Sequence, residues 1–381
     1  MRRPFPPVFP ALPLVLALAA CSAAPRALPP SVASSAGAPT AAAPSRPDPH
    51  ARDRRLVPAD TSFAMPDGAM LPARTWRAAG PPRAVILALH GFDDSRDAWE
   101  IPAPALAARG FTTYAPDQRG FGGAPDRGRW PGTDRLVSDA FALARQVHSR
   151  EPGVPLFLMG ESMGGGVLMC LLASPLMERP DAPPVAGSIL LAPAVWSEGE
   201  MNPALTASLW LAATLAPDWH LTGRELPLHV SASDNRAALF RLAYDPLTLH
   251  ATRAATLSGL VSLMTRAQAA APFLRGPVLY LTGGRDQLVP PAATAAAWQR
   301  SPPNVRRAFY PAGYHLLPRD KDRDAVLDDI ASWMLAPGRP LPSGADPAAA
   351  AWLSGRSWEG RVPVWLPGSL DSVADTTAPR D

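Results

Sequence analysis

The sequence predicts an α/β fold, a mostly parallel, doubly wound sheet with a helical insertion above it. Three observations predict it. Short apolar runs such as Ala84-Val85-Ile86-Leu87-Ala88-Leu89 alternate with longer helical stretches, as strands buried between two helical layers do. One run ends in Gly160-Glu161-Ser162-Met163-Gly164, where a strand would turn sharply into a helix and lift a serine above the sheet. After Ser188-Ile189-Leu190-Leu191-Ala192 the alternation stops until Val278, which leaves room for an insertion over the carboxyl ends of the strands.

The elements follow in order. A hairpin is expected first, with Pro66-Asp67-Gly68 turning between Ser62–Met65 and Leu71–Trp76. Strands are then expected over Ala84–Leu89, Phe111–Ala115, Val154–Met159, Ser188–Ala192, Val278–Arg285 and Val305–Tyr310. Helices fall between them at Ala98–Arg109, Thr133–Arg150, Met163–Ala173, Ala292–Gln299 and Arg323–Leu335. The insertion carries apolar helices over Pro203–Leu215 and Thr252–Ala271, with Trp219 and Tyr244-Asp245-Pro246-Leu247 between them, and it sits where a lid belongs. These boundaries predict a main domain over residues 58–336 with a cap at about 196–272. The remainder, 337–381, is a Pro- and Gly-rich tail whose large anchors are Trp352, Trp358 and Trp365, and the sequence does not decide whether they hold it to the body.

The turn around Ser162 points to nucleophilic chemistry, since its glycines admit a backbone approach that side chains would block. The order along the chain supports this. Ser162, Asp286 and His315 each stand just past a strand end, and a serine, an acid and a histidine in that order fit an α/β-hydrolase arrangement. Ser162 would attack a carbonyl, His315 would take and return the proton, and Asp286 would fix the imidazole tautomer. The backbone N–H groups of Phe92 and Met163 would receive the developing oxyanion. His90 is expected to brace the turn before Phe92. Glu161 is read as structural and pointing away from the catalytic side, and Asp117 and Arg119 as a pair fixing a nearby loop. Glu198 and Glu200 are the alternative acids, disfavoured beside Asp286. His148, His220, His229 and His250 are read as packed or solvated, and Cys170 as a buried, inert thiol. No histidine or cysteine cluster has metal-ligand spacing, and Gly120-Phe121-Gly122-Gly123 lacks the remainder of a dinucleotide fingerprint, so neither metal nor cofactor is implied.

Composition narrows the setting. With 381 residues, 47% of them hydrophobic, the chain can bury one large core. Its 36 Lys and Arg against 33 Asp and Glu give a net charge of +3 with no basic run, which excludes nucleic acid as an expected partner. The first residues read as an export signal: Arg2-Arg3, then an apolar stretch from Val8 to Ala20 too short to span a bilayer comfortably. Leu18-Ala19-Ala20-Cys21 matches a bacterial lipobox, so residues 1–21 form a signal segment and Cys21 is the expected lipidation site. Ser22 after that cysteine, by resemblance to other lipoproteins, points to the outer membrane. Residues 22–57, rich in Ala, Pro and Ser, are expected to be a tether. The setting is therefore the cell envelope, with a lipid anchor and no obligate protein partner.

These motifs together resemble the monoacylglycerol lipase and lysophospholipase group of α/β-hydrolases, those with a "serine aminopeptidase" domain. The likeness runs from about Ser62 to Leu335. It rests on His90-Gly91-Phe92, Asp117-Gln118-Arg119-Gly120-Phe121-Gly122, Gly160-Glu161-Ser162-Met163-Gly164-Gly165, Asp245-Pro246-Leu247, Gly284-Arg285-Asp286 and Gly313-Tyr314-His315-Leu316-Leu317. The resemblance implies that Ser162, Asp286 and His315 form a triad, that Phe92 and Met163 donate to the oxyanion, and that the insertion is an amphipathic cap admitting single-chain acyl esters. The expected activity is hydrolysis of monoacyl lipid esters through an acyl-enzyme. Acyl transfer, a non-lipid esterase on the same residues and a non-catalytic envelope lipoprotein are the alternatives. The lipobox, the tether and the tail lie outside the family core.

Overall fold

A computed structural model describes residues 56–222 and 230–355. Cys21, most of the tether, His229, Trp358 and Trp365 lie outside the described residues. Eight strands form one sheet: β1 (Thr61–Ala64), β2 (Met70–Trp76), β3 (Ala84–Leu89), β4 (Phe111–Pro116), β5 (Leu156–Glu161), β6 (Val185–Leu191), β9 (Val278–Gly283) and β10 (Val305–Tyr310). Their order is β1-β2-β4-β3-β5-β6-β9-β10. β1 and β2 run antiparallel as a hairpin on one edge, and every pairing from β4 to β10 is parallel. β3, β5 and β9 are buried at every position, which is why they read as unbroken apolar runs rather than alternating ones.

Helices cover both faces. α1 (Pro102–Ala108) and α8 (Arg323–Leu335) pack on one side, where Phe157, Ile189, Leu279, Ile330 and Trp333 share a core. α2 (Thr133–Arg150), α3 (Met163–Leu172) and α7 (Pro291–Arg300) pack on the other, with Leu158, Val167, Tyr280 and Trp298. The helix expected from Ala98 begins instead as a 3-10 turn, Arg96–Trp99, with α1 starting at Pro102. Proline has no N–H to donate and is preorganised for the first helical position, so the start falls there.

Between β6 and β9 lie α4 (Pro203–Leu215), α5 (Arg236–Tyr244), α6 (Ala254–Ala270) and a small antiparallel ribbon, β7 (His220–Leu221) with β8 (Thr252–Arg253). The second insertion helix thus starts at Ala254, and Thr252 belongs to β8. α6 packs on α3 and α4. α5 is fastened to the body through Arg241, whose Nε donates to Glu100 at 2.8 Å and whose Nη2 donates to Asp97 at 3.0 Å. α4 buries Leu205 and Leu209 but leaves Trp210 and Leu215 64% and 74% exposed. No described helix is long and apolar enough to cross a membrane.

The first part of the tail is ordered against the sheet as α9 (Ala345–Leu353) beside β10. Trp352 stacks on Phe309 with centroids 5.0 Å apart and meets Trp298 edge-on at 5.2 Å. Asp346 accepts two hydrogen bonds from Arg306, at 2.6 and 2.8 Å. Trp352→Ala is expected to destabilise the protein by roughly 2 kcal/mol, below the range for a fully buried indole because Trp352 keeps some exposure. A urea midpoint measures it, and an unmoved midpoint would mean the helix is not part of the cooperative unit.

Candidate active site

The site is built at the carboxyl ends of β3, β5, β9 and β10. Ser162 directly follows β5 with φ 52° and ψ −115°, a left-handed backbone that a non-glycine residue adopts only under strain, and it begins α3. Its neighbours hold it there. The Ser162 N–H donates to the Leu191 carbonyl at 2.9 Å, and its own carbonyl accepts from Gly166 and Ala194 at 3.0 and 2.8 Å. The glycines are sterically required. A Cβ on Gly164 would lie 2.3 Å from the Leu89 carbonyl oxygen, and one on Gly160 would lie 2.5 Å from the Gly164 carbonyl carbon.

Asp286 stands after β9 and His315 after β10, and the structure joins them: His315 Nδ1 lies 2.8 Å from Asp286 Oδ2, with both side chains 3% exposed. The other Asp286 oxygen accepts the Leu288 and Val289 N–H groups at 2.8 and 3.0 Å, so the carboxylate cannot swing. Burial alone would lower the His315 pKa, but Asp286 and the nearby Glu161 outweigh it and the pKa lies above its ordinary value. Ser162 and His315 line one cavity of about 50 Å³ together with Gly91, Phe92, Leu260, Met264 and Leu316. Met163 is the first residue of α3, where helix geometry leaves the N–H without an intrahelical acceptor. Phe92 lies on the loop after β3, in the same cavity wall.

His90 braces this loop as expected. Its Nε2 accepts the Gln118 N–H at 2.9 Å and its Nδ1 lies 2.8 Å from the Gly91 carbonyl, which places the proton on Nδ1, and burial pushes its pKa down. Asp117 and Arg119, by contrast, do not pair. Asp117 is fully buried and its oxygens accept from the Arg96 backbone and guanidinium and from the Gly123 N–H, while Arg119 turns to Asp139 and Asp67. Asp117 is held by Arg96 and the Gly123 N–H, and the Arg119 guanidinium is engaged by the carboxylates of Asp139 and Asp67 instead. Glu198 and Glu200 are exposed on a short turn in the insertion. Cys170 is buried on α3 with its pKa pushed up to about 12, which leaves it a thiol.

Two residues that sequence reasoning passed over stand at the site. Asp93 follows Phe92 with φ 58°, receives the Thr252 hydroxyl from the cap on Oδ2, and offers its backbone carbonyl to the Leu249 N–H at 2.8 Å. Arg319, four residues after His315, is buried against Glu161 and Asp94. Neither has a local motif; the only signal was their placement beside Phe92 and His315.

Burial raises the carboxyl of Asp93 to about 7 and those of Asp245 and Asp320 to about 6. The folded protein therefore keeps protons that the unfolded chain releases above pH 4, and stability falls as pH rises from about 4 towards 7, by up to about 1.4 kcal/mol per pH unit per group. Asp93→Asn, in a backbone conformation that asparagine tolerates well, should narrow the gap between urea midpoints at pH 5 and pH 8 by raising the value at pH 8. An unchanged gap would remove Asp93 as its source.

A family described as serine aminopeptidase, S33, matches residues 80–322, well over half of the 381. The chain belongs to this family. Among curated proteins, this α/β-hydrolase is 27% identical over 281 residues to a monoacylglycerol lipase of Mycolicibacterium smegmatis, covering 72% of this chain and 96% of that one. It is also 27% identical to a monoglyceride lipase of Rattus norvegicus, covering 70% and 88%. Among solved structures, a soluble variant of monoglyceride lipase from Saccharomyces cerevisiae superposes with a TM-score of 0.62 at 19% identity, covering 74% of this hydrolase and 96% of that chain, which shows a common fold.

Proposed function

We propose that this hydrolase is a serine carboxylic-ester hydrolase acting on monoacyl lipid esters, with Ser162 as nucleophile, His315 as general base and acid, and Asp286 as the group that orients it. One observation carries the proposal: Ser162, on its strained turn, and His315, held by Asp286, line the same cavity. Deprotonation of Ser162 by His315 lets the hydroxyl attack the ester carbonyl, and the Phe92 and Met163 N–H groups stabilise the oxyanion. His315 returns the proton to the departing alcohol, and water then repeats the sequence on the acyl-enzyme.

The substrate class is supported by chemistry at two places. The cavity wall is apolar at Leu242, Leu260, Met264, Leu288 and Val289, the lining an acyl chain would meet, and at about 50 Å³ the cavity must widen for the chain to enter. α4 presents Trp210 and Leu215 to solvent, as a surface meeting amphiphiles would. The likeness to monoacylglycerol lipases agrees with both. Acylation of Cys21 would keep the enzyme at the cell envelope beside such lipids.

Protein lacking the first 21 residues should hydrolyse short p-nitrophenyl esters and monoacylglycerols and be labelled by a fluorophosphonate. Failure of both turnover and labelling would end the proposal, and a screen of acyl lengths would place the preferred chain.

A further inference from the structure

We infer that Arg319 is a positioning residue of the hydrolytic centre, a buried guanidinium that bridges the carboxylates of Glu161 and Asp94 and so fixes the end of β5, the loop after β3 and the loop after β10 relative to one another. Its Nη2 lies 2.8 Å from Asp94 Oδ2 and also donates to Glu161 Oε2. Each partner belongs to a different part of the site. Glu161 immediately precedes Ser162, Asp94 follows Phe92 by two residues, and Arg319 itself stands on the 3-10 turn Leu317–Arg319 just after His315. All three are at most 5% exposed, and no local sequence pattern relates them.

The surrounding bonds fix the Asp94 side chain and the Arg319 backbone. Asp94 Oδ1 is taken by the Ser95 N–H at 2.8 Å, which leaves only Oδ2 to Arg319. The Arg319 carbonyl accepts from Asn235 Nδ2 at 2.8 Å, and its N–H donates to the Leu316 carbonyl at 2.8 Å, so its backbone is anchored from the cap and from the histidine loop. Burial disfavours the charged guanidinium, but the two carboxylates more than offset this and keep it protonated. Without it, two buried carboxylates would face each other with no cation between them. The loops would separate, and the distances among Ser162, His315 and the oxyanion donors would be lost.

The clamp also bears on the imidazole. Glu161 favours the charged form of His315 and Arg319 disfavours it, alongside the larger effect of Asp286. Asp93 lines the cavity with His315, and Asp97, Glu100, Arg241 and Asp245 line the adjoining cavity with Asp94 and Arg319; the carboxyl of Asp93, at about 7, also titrates within the assayed range. A salt bridge remote from His315 would leave its titration unmoved, and the fall in kcat separates positioning from this charge effect.

This inference rests on Ser162 acting as nucleophile, and the test separates the two. The full chain in detergent, with Arg319→Met, Arg319→Lys and Glu161→Gln variants, is assayed with p-nitrophenyl butyrate between pH 5 and 9, active sites being counted with a fluorophosphonate. Arg319→Met should lower kcat about 100-fold per active site, the cost of misplacing a reacting group by about 1 Å. KM should stay within about twofold, and Arg319→Lys should recover roughly a tenth of the activity because it keeps the charge but places its ammonium on a shorter stem than the Nη2 that reaches both carboxylates. Glu161→Gln should shift the acidic limb of kcat/KM to lower pH. If Arg319→Met does not fold, Arg319→Lys and Glu161→Gln decide on the same readouts. Variants equal to wild type in kcat and pH profile overturn the clamp alone, whereas a wild-type chain that neither turns over nor labels overturns the hydrolase assignment and the clamp together.

Discussion

Asp286→Asn should lower kcat for ester hydrolysis by about 10⁴-fold with little change in KM or fold. The hydrogen bonds at Asp286 dictate this. Its Oδ1 accepts two backbone N–H groups, from Leu288 and Val289, and only an oxygen can fill that position. In the variant the amide must therefore turn its NH₂ towards His315. A donor facing Nδ1 forces that nitrogen to accept, which moves the imidazole proton to Nε2, the nitrogen left for Ser162. An Nε2 that already carries a proton cannot take one from a hydroxyl. Steady-state kinetics at neutral pH test this, and a loss smaller than tenfold would mean that Asp286 does not set the tautomer.

Ser162→Ala should remove hydrolysis altogether, a fall of about 10⁶-fold in kcat, and with it fluorophosphonate labelling. The fold should survive, because the turn is held by backbone hydrogen bonds and glycine contacts rather than by the hydroxyl. Alanine inherits the strain of φ 52°. Ser162→Gly escapes it, and should be equally inactive yet more stable than the alanine variant by about 1 kcal/mol in urea unfolding. Turnover retained by either variant would transfer the chemistry to another residue.

Much of this fold was legible because its strands are buried on both faces, and continuous apolar runs such as Ala84–Leu89 and Val278–Gly283 announce themselves without any alignment. The candidate site residues were legible for a related reason, since Ser162, Asp286 and His315 each follow a strand end. What escaped was held by pairing over long separations. The inner face of α5 carries Arg241 beside Ala238 and Leu242; Arg241 is buried because Asp97 and Glu100 lie opposite, and nothing near it in sequence reveals those partners. Arg319 was missed for the same reason. α9 was missed differently, since its alanines follow Asp346-Pro347, an ordinary helix opening hidden in a stretch whose prolines and glycines suggested a tail. The expected Asp117–Arg119 pair failed because closeness in sequence is weak evidence of pairing when more distant donors are already seated.

The matched family segment ends at residue 322, one residue short of α8, and starts at residue 80, beyond the β1–β2 hairpin. A gene trimmed to that segment would encode a sheet missing Ile330 and Trp333 from one side, with β4 laid open as a raw edge for other chains to pair with, so the expected product is an insoluble aggregate. The inherited signature and the smallest self-sufficient polypeptide are thus different objects. The latter must include the β1–β2 hairpin with Val57 and Asp60 before it, which accept from Arg96 and Thr75, and the indole of Trp352, so any shortened form meant for assay should keep all of these.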